Sequence, residues 1–355
     1  MPKASIVVLA FLTLLMTFRV SALEAVPAAP LKDPQQVFLL SGNQLNFVDL
    51  LTGSSNSVAV NGDHFTLIAN GIMFFDRANR RVMIAASDGT LTEHPFIQPA
   101  DGVTRIDWNI SHDQQTIAWT ETSGAPAALT TTTYIAGIDG SQQRMVFSDG
   151  PRNSIRAYPV AFSEDKSILY MDYQPDTIGD LTPFRQYAGL FALDLVSGST
   201  NSLPGEPGCF CGAGIGGDTF VRLTLADSGF NLRIRSLTNS AEATLAPINN
   251  YTQGGDVLIA PDGNRAVYAL AQITGFGSPS QTVQTVIVLV DLLNLSQRTL
   301  APPSNRLLRP ILWTEDDSAV LFADPQSQTT WKAMIRDGTF EQVATGIYLG
   351  TLVPN

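Results

Sequence analysis

The sequence predicts an all-β protein, a single seven-bladed β-propeller of four-stranded antiparallel blades that is closed by pairing of its N- and C-terminal strands. Three observations support this. Short apolar runs bounded by turn residues recur along the chain, as at residues 285–290 and 319–323. No long segment has the apolar spacing of a helix. Two sequence patterns repeat in a fixed order, which is typical of propeller blades.

The first repeat is a hairpin in which a strand ends at Asp and a Gly or Asn follows within a few residues. Asp caps the backbone of such a turn, and Gly or Asn tolerates the positive φ that it needs. Successive copies lie 39 to 55 residues apart, the range of a four-stranded blade, and the fifth has Ser in place of Asp. The seven anchors are Asp49, Asp88, Asp139, Asp194, Ser236, Asp291 and Asp337.

The second repeat precedes most of these hairpins and consists of an apolar strand, a tight acidic turn and another apolar strand. Its clear copies span residues 108–119, 160–170, 258–268 and 312–321, and weaker copies lie at 67–74 and 214–221. Joining the two repeats gives four strands for each blade, lettered a to d from the inside outwards. The resulting complete blades, one to six, span about residues 64–97, 104–148, 156–203, 208–247, 255–300 and 308–344.

The seventh blade is predicted to be shared between the chain ends. Residues 346–353 would form its inner strand, and three strands between residue 36 and the segment after Gly53 would complete it. Closing the ring in this way removes free sheet edges, which would otherwise invite aggregation. A six-bladed ring is the alternative.

The acidic turns resemble the Ser-Pro-Asp-Gly-Lys repeat of the WD40-like (PD40) propellers found in TolB and in relatives of prolyl oligopeptidase. Residues 261–263 keep Pro-Asp-Gly, while Ser111 with Asp113 and Ser163 with Asp165 keep the Ser and Asp. The resemblance covers most of the chain and implies the fold together with an envelope-associated binding role. Because blades fill the chain, neither the α/β domain of TolB nor a hydrolase domain is expected.

The N-terminal residues predict export to the periplasm or the cell exterior. Residues 1–22 have the pattern of a signal peptide: Lys3, an apolar run and a small-residue cleavage site after Ala22. Residues 23–35 read as a flexible leader, and the propeller is expected over 36–355. The alternative is an uncleaved segment that tethers the protein to the membrane. No later apolar stretch is long enough to span a bilayer.

The charge distribution excludes some partners. Charged residues make up 15% of the chain, and cleavage after residue 22 would change the formal charge from −11 to −13 because it removes Lys3 and Arg19. Such an acidic body argues against nucleic acid and against anionic membrane surfaces as partners. A protein or a small anionic ligand is expected instead.

Ligand binding is predicted on the face that carries the loops between strands b and c. The long b–c insertions lie at residues 121–131, 173–189 and 270–284, and loops held by a rigid scaffold commonly carry binding sites. Deleting residues 174–187 is expected to impair binding and to leave the fold intact. The residues predicted to bind the ligand are Arg105, Arg156, Arg309 and Tyr158.

Each of the three arginines comes just before an inner strand, which would bring them to the central funnel. Converging guanidinium groups can hold a carboxylate or a phosphate. The alternative is that each pairs with a local acid, such as Asp107 for Arg105, or is solvated. Tyr158 and Trp313 are interpreted as core residues of the inner strands, with a stacking platform for the ligand as the alternative.

No catalytic residues, metal ligands or cofactors are predicted. The three histidines, His64, His94 and His112, do not form a recognisable triad or metal motif. Asp172, Asp176 and Asp180 could bind calcium or form a solvated acidic loop. Cys209 and Cys211 are expected to be two partly buried thiols, with a strained redox-active bridge as the alternative.

These observations favour a binding module on a propeller scaffold. The main alternative is an enzyme of the lyase or glycoside hydrolase type that uses the funnel on the same face. A purely structural surface protein is a third reading. The positions of the polar side chains at the funnel mouth would distinguish these hypotheses. The repeats alone do not reveal those positions.

Overall fold

A computed structural model describes residues 33–177, 182–239, 241–248, 250–275 and 278–353. In these residues, 28 strands form seven four-stranded antiparallel sheets, so the predicted seven-bladed β-propeller is confirmed and the six-bladed alternative is wrong. The helical structure in this part of the chain is one 3₁₀ turn, Pro126–Ala128. The predicted signal peptide and all but the last three residues of the leader lie outside the described residues.

The first strands of the chain belong to blades seven, one and two. Strands b to d of blade seven are β1 (Gln35–Leu40), β2 (Gln44–Asp49) and β3 (Ser55–Ala59). Blade one comprises β4 (Gly62–Ile68), β5 (Gly71–Asp76), β6 (Arg81–Ala85) and β7 (Leu91–Glu93). Blade two comprises β8 (Val103–Ile110), β9 (Thr116–Ser123), β10 (Leu129–Gly137) and β11 (Arg144–Arg152).

Blades three to six follow in the same order, each from inner to outer strand. Blade three comprises β12 (Ile155–Phe162), β13 (Ile168–Pro175), β14 (Leu190–Asp194) and β15 (Thr200–Ser202). Blade four comprises β16 (Ala213–Gly216), β17 (Thr219–Ala226), β18 (Gly229–Ser236) and β19 (Glu242–Leu245). Blade five comprises β20 (Gln253–Ile259), β21 (Arg265–Thr274), β22 (Thr282–Asp291) and β23 (Ser296–Thr299). Blade six comprises β24 (Arg309–Trp313), β25 (Ala319–Asp324), β26 (Thr329–Met334) and β27 (Phe340–Thr345).

The two chain ends meet in blade seven, as predicted. The last strand, β28 (Ile347–Leu352), is its inner strand and pairs antiparallel with β1. The pairing runs from Gln35 opposite Leu352 to Leu39 opposite Ile347. Both ends of the ring are therefore hydrogen-bonded within one sheet, and the inner edge of β1 is covered.

The turns of the repeats are closed by the residues that the sequence singles out. The Oδ1 atom of Asp49 accepts hydrogen bonds from the backbone N–H groups of Leu51 and Thr52, at 2.9 and 2.8 Å. Asp194 and Asp291 cap their turns in the same way. These bonds satisfy turn N–H groups that the strand ladder cannot reach, which explains why Asp recurs at this place.

The hydrophobic core lies between adjacent blades. Alternate side chains of a strand point to opposite faces, so each sheet contributes apolar side chains to two layers. Between blades one and two, for example, Met73 and Ile84 belong to the same buried cluster as Ile106 and Trp119. The stacked sheets thus leave the inner strands exposed towards a central channel.

Two of the three predicted b–c insertions are strand extensions, not loops. In blade five, β21 and β22 pair over ten residues each, from Arg265 opposite Asp291 to Thr274 opposite Thr282. In blade two, β9 and β10 pair up to Ser123, and only a short segment connects them. The alternating polar residues of these segments fit long hairpins that rise above the ring. Among the b–c connections in the described part of the chain, only that of blade three is a long loop.

Cys209 and Cys211 form a disulfide, so the expectation of two thiols is wrong. That expectation assumed a regular strand, which would hold the two Cα atoms too far apart. The segment before β16 is irregular, and the Cα atoms lie 5.4 Å apart, within the range that a disulfide spans. Of the residues described, none belongs to a helix long and apolar enough to cross a bilayer.

Candidate functional site

The inner strands of six blades carry a β-bulge that alters where their side chains point. In β4, β8, β12, β20, β24 and β28, one extra residue interrupts the register with the neighbouring strand. A bulge bends the strand and redirects a side chain out of the regular alternation. His64 and Asp256 adopt left-handed φ values of 56° and 51° at such bulges, and both side chains line the channel.

The four predicted ligand-binding residues line one polar cavity of about 220 Å³, here called the funnel mouth. Arg105, Arg156 and Arg309 lie within inner strands, not just before them, and Tyr158 lies on the same strand as Arg156. The funnel mouth opens on the face of the b–c loops. All four predicted residues therefore lie in the wall of one cavity. Their role in ligand binding stays a prediction.

All three arginines are held by carboxylates, and two of them share Asp107. The Nη1 atom of Arg156 lies 2.5 Å from Oδ2 of Asp107, and its Nε atom lies 3.3 Å from Oδ1 of Asp176. Arg105 donates to Oδ1 of Asp107 at 3.4 Å, as the alternative reading of the sequence expected. The Arg156 guanidinium also stacks on the Tyr158 ring, 4.7 Å from its centre. Arg156 is buried, so it is positioned mainly to support the wall of the funnel mouth.

Arg309 forms a two-pronged pair with Asp256, with N–O distances of 2.8 and 2.9 Å. Parallel hydrogen bonds of this kind fix the orientation of both groups and neutralise their charges. Asp256 also accepts a hydrogen bond from the backbone N–H of Arg185 at 2.9 Å. It therefore connects the inner strand of blade five to the long loop of blade three.

This blade-three loop, residues 176–189, crosses from its own blade to blades five and six. Phe184 is 1% exposed and belongs to the core cluster between those two blades. The Gln186 side chain donates to the backbone oxygen of Gly254 at 3.0 Å. The expectation that deleting 174–187 leaves the fold intact is therefore wrong, because the segment fills part of the core. A Cβ atom on Gly255 would lie 2.5 Å from the backbone oxygen of Arg185, so the crossing needs glycine there.

The loop places Arg185 and Tyr187 at the centre of the channel. The Arg185 side chain is exposed to the channel, and it has no carboxylate within ion-pair distance among the residues that the structure describes. The Tyr187 phenol and the Asp256 carboxylate raise the pKa of Arg185, so the guanidinium stays charged. Tyr187 is held by backbone hydrogen bonds to Cys211, at 2.8 and 3.2 Å.

Neither Arg185 nor His64 was predicted as a site residue. His64 lines the funnel mouth, with Nε2 3.6 Å from Oδ1 of Asp107 and Nδ1 2.9 Å from Oδ1 of Asp63. A bulge position leaves no distinctive sequence pattern, which explains the omission of His64. Arg185 had a usable signal, since it lies in the longest insertion on the predicted face.

Asp172 lies behind the wall of the funnel mouth and is fully buried within β13. Burial raises the pKa of Asp172 to about 7, against the effect of backbone N–H donors from Ala188 and Gly189. The Tyr158 hydroxyl donates to its Oδ2 atom at 3.4 Å. The reading of Asp172, Asp176 and Asp180 as a solvated loop is wrong for Asp172; Asp180 lies outside the described residues.

No group of three or more His, Cys, Asp or Glu side chains that could hold a metal occurs in the described part of the chain. His112 lies in an a–b turn on the opposite face, and His94 follows the outer strand β7, where it is buried and accepts a hydrogen bond from Ile97 N–H at 3.1 Å. What the funnel mouth offers instead is a charged guanidinium, phenols and an imidazole. These groups suit recognition of an anion.

Comparison with known proteins identifies the fold and not a family. No protein-family model matches this chain, and no curated protein does. The structure is similar to an oligogalacturonate lyase in complex with manganese, with a TM-score of 0.55, 12% identity and coverage of 90% of this chain and 86% of that chain. At such identity, the likeness shows the propeller fold alone.

Two further solved structures also match this chain. A functionally unknown protein from Desulfotomaculum acetoxidans gives a TM-score of 0.50 and 11% identity, with 91% of this chain and 100% of that chain covered. TolB from Acinetobacter baumannii gives a TM-score of 0.47 and 12% identity, with 94% and 89% covered.

Proposed function

We propose that this protein is an exported binding module that captures a small anionic ligand at the funnel mouth. The proposal depends on one observation: the charged Arg185 side chain is exposed at the centre of the channel and has no carboxylate partner among the described residues. Arg105, Arg156 and Arg309 surround it but are engaged by Asp107, Asp176 and Asp256. Those pairs give a rigid wall, and Arg185 supplies the ligand contact.

The negative net charge of the chain means that an anion must be attracted by groups at the site itself. A chain with a formal net charge of −11 repels anions at long range, so attraction must come from groups at the site itself. Within a partly enclosed cavity, a guanidinium and a carboxylate form short, charge-assisted hydrogen bonds. Tyr187, which also lines the cavity, can add a neutral donor beside Arg185 without compensating its charge.

Calorimetric titration with citrate, galacturonate and octanoate, beside the uncharged galactose and octan-1-ol, tests the proposal. At least one carboxylate is expected to bind while its uncharged counterpart does not. Arg185→Gln should weaken that binding at least tenfold, because a hydrogen bond to a charged group contributes about 1.5–3 kcal/mol. Arg336→Gln, which removes an exposed arginine of blade six, is the matched control and should bind like wild type. Equal binding by the Arg185 and control variants would contradict the proposal.

Export is supported by two independent features. The N-terminal segment has the signal-peptide pattern, and the Cys209–Cys211 disulfide suits an oxidising compartment. Mass spectrometry of the protein produced with its native N-terminus should find a mature chain that begins at Leu23. A chain retaining residues 1–22 would favour the tethered form.

A lyase acting at the same site is the second candidate. It is favoured by the Tyr158–Asp172 pair, because a buried carboxyl with a pKa of about 7 can act as a proton acceptor through the phenol that faces the cavity. The likeness to an oligogalacturonate lyase suggests the substrate to try. Formation of unsaturated uronates from oligogalacturonate, with and without manganese, and its loss in Tyr158→Phe would support this function over simple binding.

A further inference from the structure

The channel continues from the funnel mouth into a second cavity of about 440 Å³ with an apolar wall, here called the inner chamber. Inner strands of three blades supply most of this wall. Its apolar side chains include Phe65 from blade one, Val257 and Leu258 from blade five, Ile311 from blade six, and Ile347 and Leu349 from blade seven. A polar mouth thus leads to an apolar interior.

Several apolar side chains of this wall lie at the β-bulges of the inner strands. Phe65, Val257, Ile311 and Leu349 all lie at the irregular step of their strands. Because the extra residue leaves the regular alternation, its side chain can reach the channel. Phe65 and Leu349 line the chamber while they pack against the core cluster of blades seven and one, and Val257 lines it from the edge of a core cluster. Three of the four are only half-buried. Four blades therefore contribute apolar side chains to the wall of the inner chamber.

The funnel mouth and the inner chamber meet at Arg185, Tyr187 and Arg309, which line both cavities. Arg309 is neutralised by its two-pronged contact with Asp256. Arg185 is the group at this boundary with a charge available to a ligand. The site therefore combines one cationic group with an adjoining apolar chamber.

From this juxtaposition, we infer that the ligand is an amphipathic carboxylate, an acid with an aliphatic or aromatic body. Its carboxylate binds Arg185, and its apolar body enters the inner chamber against Phe65, Ile311 and Leu349. This inference rests on the proposed anion site and narrows its ligand class. A polyhydroxylated acid fits less well, because hydroxyl groups inside the chamber would lose water without gaining partners.

The inference predicts how affinity depends on the ligand body. In calorimetric titrations with butanoate, hexanoate and octanoate, affinity should rise with chain length, by up to about fourfold for each methylene that the chamber buries. Gluconate, which has the same carboxylate on a hydroxylated chain, should bind no better than butanoate. The heat-capacity change for octanoate should be negative, since apolar surface leaves water.

Two neighbouring residues of β24 provide a matched pair of variants. Ile311→Thr places a hydroxyl in the inner chamber and should lower octanoate affinity about tenfold while butanoate binding is unchanged. Leu312→Thr makes a similar change on the next residue, which is 43% exposed and does not line the chamber, and should bind all ligands like wild type. Urea unfolding of both variants checks that the fold is retained.

The outcomes separate this inference from the proposal on which it rests. Gluconate or galacturonate binding that requires Arg185, with no gain from butanoate to octanoate, would overturn the amphipathic ligand and retain the anion site. An octanoate affinity that is unaffected by Ile311→Thr would also overturn it. If no carboxylate binds, or Arg185→Gln has no effect, both proposals fail.

Discussion

At the scale of single residues, Asp172 is the group with the clearest effect on stability. Its pKa in the folded protein is about 7, well above the ordinary value of 3.8, because burial disfavours its charged form. Between about pH 4 and pH 7, the unfolded chain releases this proton and the folded protein keeps it. The contribution of Asp172 to the free energy of unfolding is therefore largest in acid and is lost as the pH rises through this window.

Asp172→Asn should remove this part of the pH dependence. An asparagine oxygen can still accept from the N–H groups of Ala188 and Gly189, so the local fold is retained. Urea midpoints at pH 5 and pH 8 should lie closer together in the variant than in wild type. Glu164→Gln, a change at an exposed position of the same blade, is the control. An unchanged difference in Asp172→Asn would show that its carboxyl titrates normally.

Some residues of the site could be predicted from the sequence and others could not. Arg105, Arg156, Arg309 and Tyr158 reach one cavity because each lies at a repeated place in its blade, and the repeat is visible in the sequence. His64 reaches the same cavity, and Asp256 reaches the inner chamber, through bulges with left-handed φ, which the alternation of polar and apolar residues does not reveal. The partners of a buried arginine likewise depend on contacts between blades.

At the scale of elements, the blade-three loop is the part whose role differs most from the sequence-based prediction. Its length suggested a removable surface insertion, but Phe184 fills the core between blades five and six, and Asp256 caps the backbone of Arg185. A local pattern cannot show that a loop packs against a blade two positions further round the ring. The loop joins the scaffold to the site.

Phe184→Ala should therefore destabilise the whole protein. Removing a fully buried aromatic side chain commonly costs about 3–5 kcal/mol, since apolar contacts are lost and a cavity remains. The free energy of urea unfolding should fall by this amount, whereas Thr177→Ala, at an exposed position of the same loop, should change it by less than about 0.5 kcal/mol. A small effect of Phe184→Ala would mean that the loop is not part of the cooperative core.

At the scale of the whole molecule, the ring depends on the pairing of its two ends. The architecture was predictable because turn-capping Asp residues and short apolar strands recur in each blade, and even the divergent copy at Ser236 folds as a hairpin. Closure followed from the need to complete the seventh blade with β28. The extended hairpins of blades two and five differ from the predicted loops, because a strand extension and a loop can have the same polar composition.

Truncation after Gly346 tests this closure. It removes β28 and exposes the edge of β1, so the melting temperature should fall sharply and aggregation should increase. Removing Val353 to Asn355 alone spares every paired residue of β28 and should leave the melting temperature nearly unchanged. A stable, monomeric protein lacking β28 would show that the ring holds without its terminal pairing.

The crossing of the blade-three loop has a consequence for the order of assembly. In a simple array of repeats, each unit contacts only its neighbours, and formation can spread from any point. Here, Arg185 is adjacent to Phe184, whose side chain packs in the core between blades five and six, far along the chain. Such distant contacts form late because the intervening chain must first be ordered. We therefore expect the channel around Arg185 to be completed late in folding.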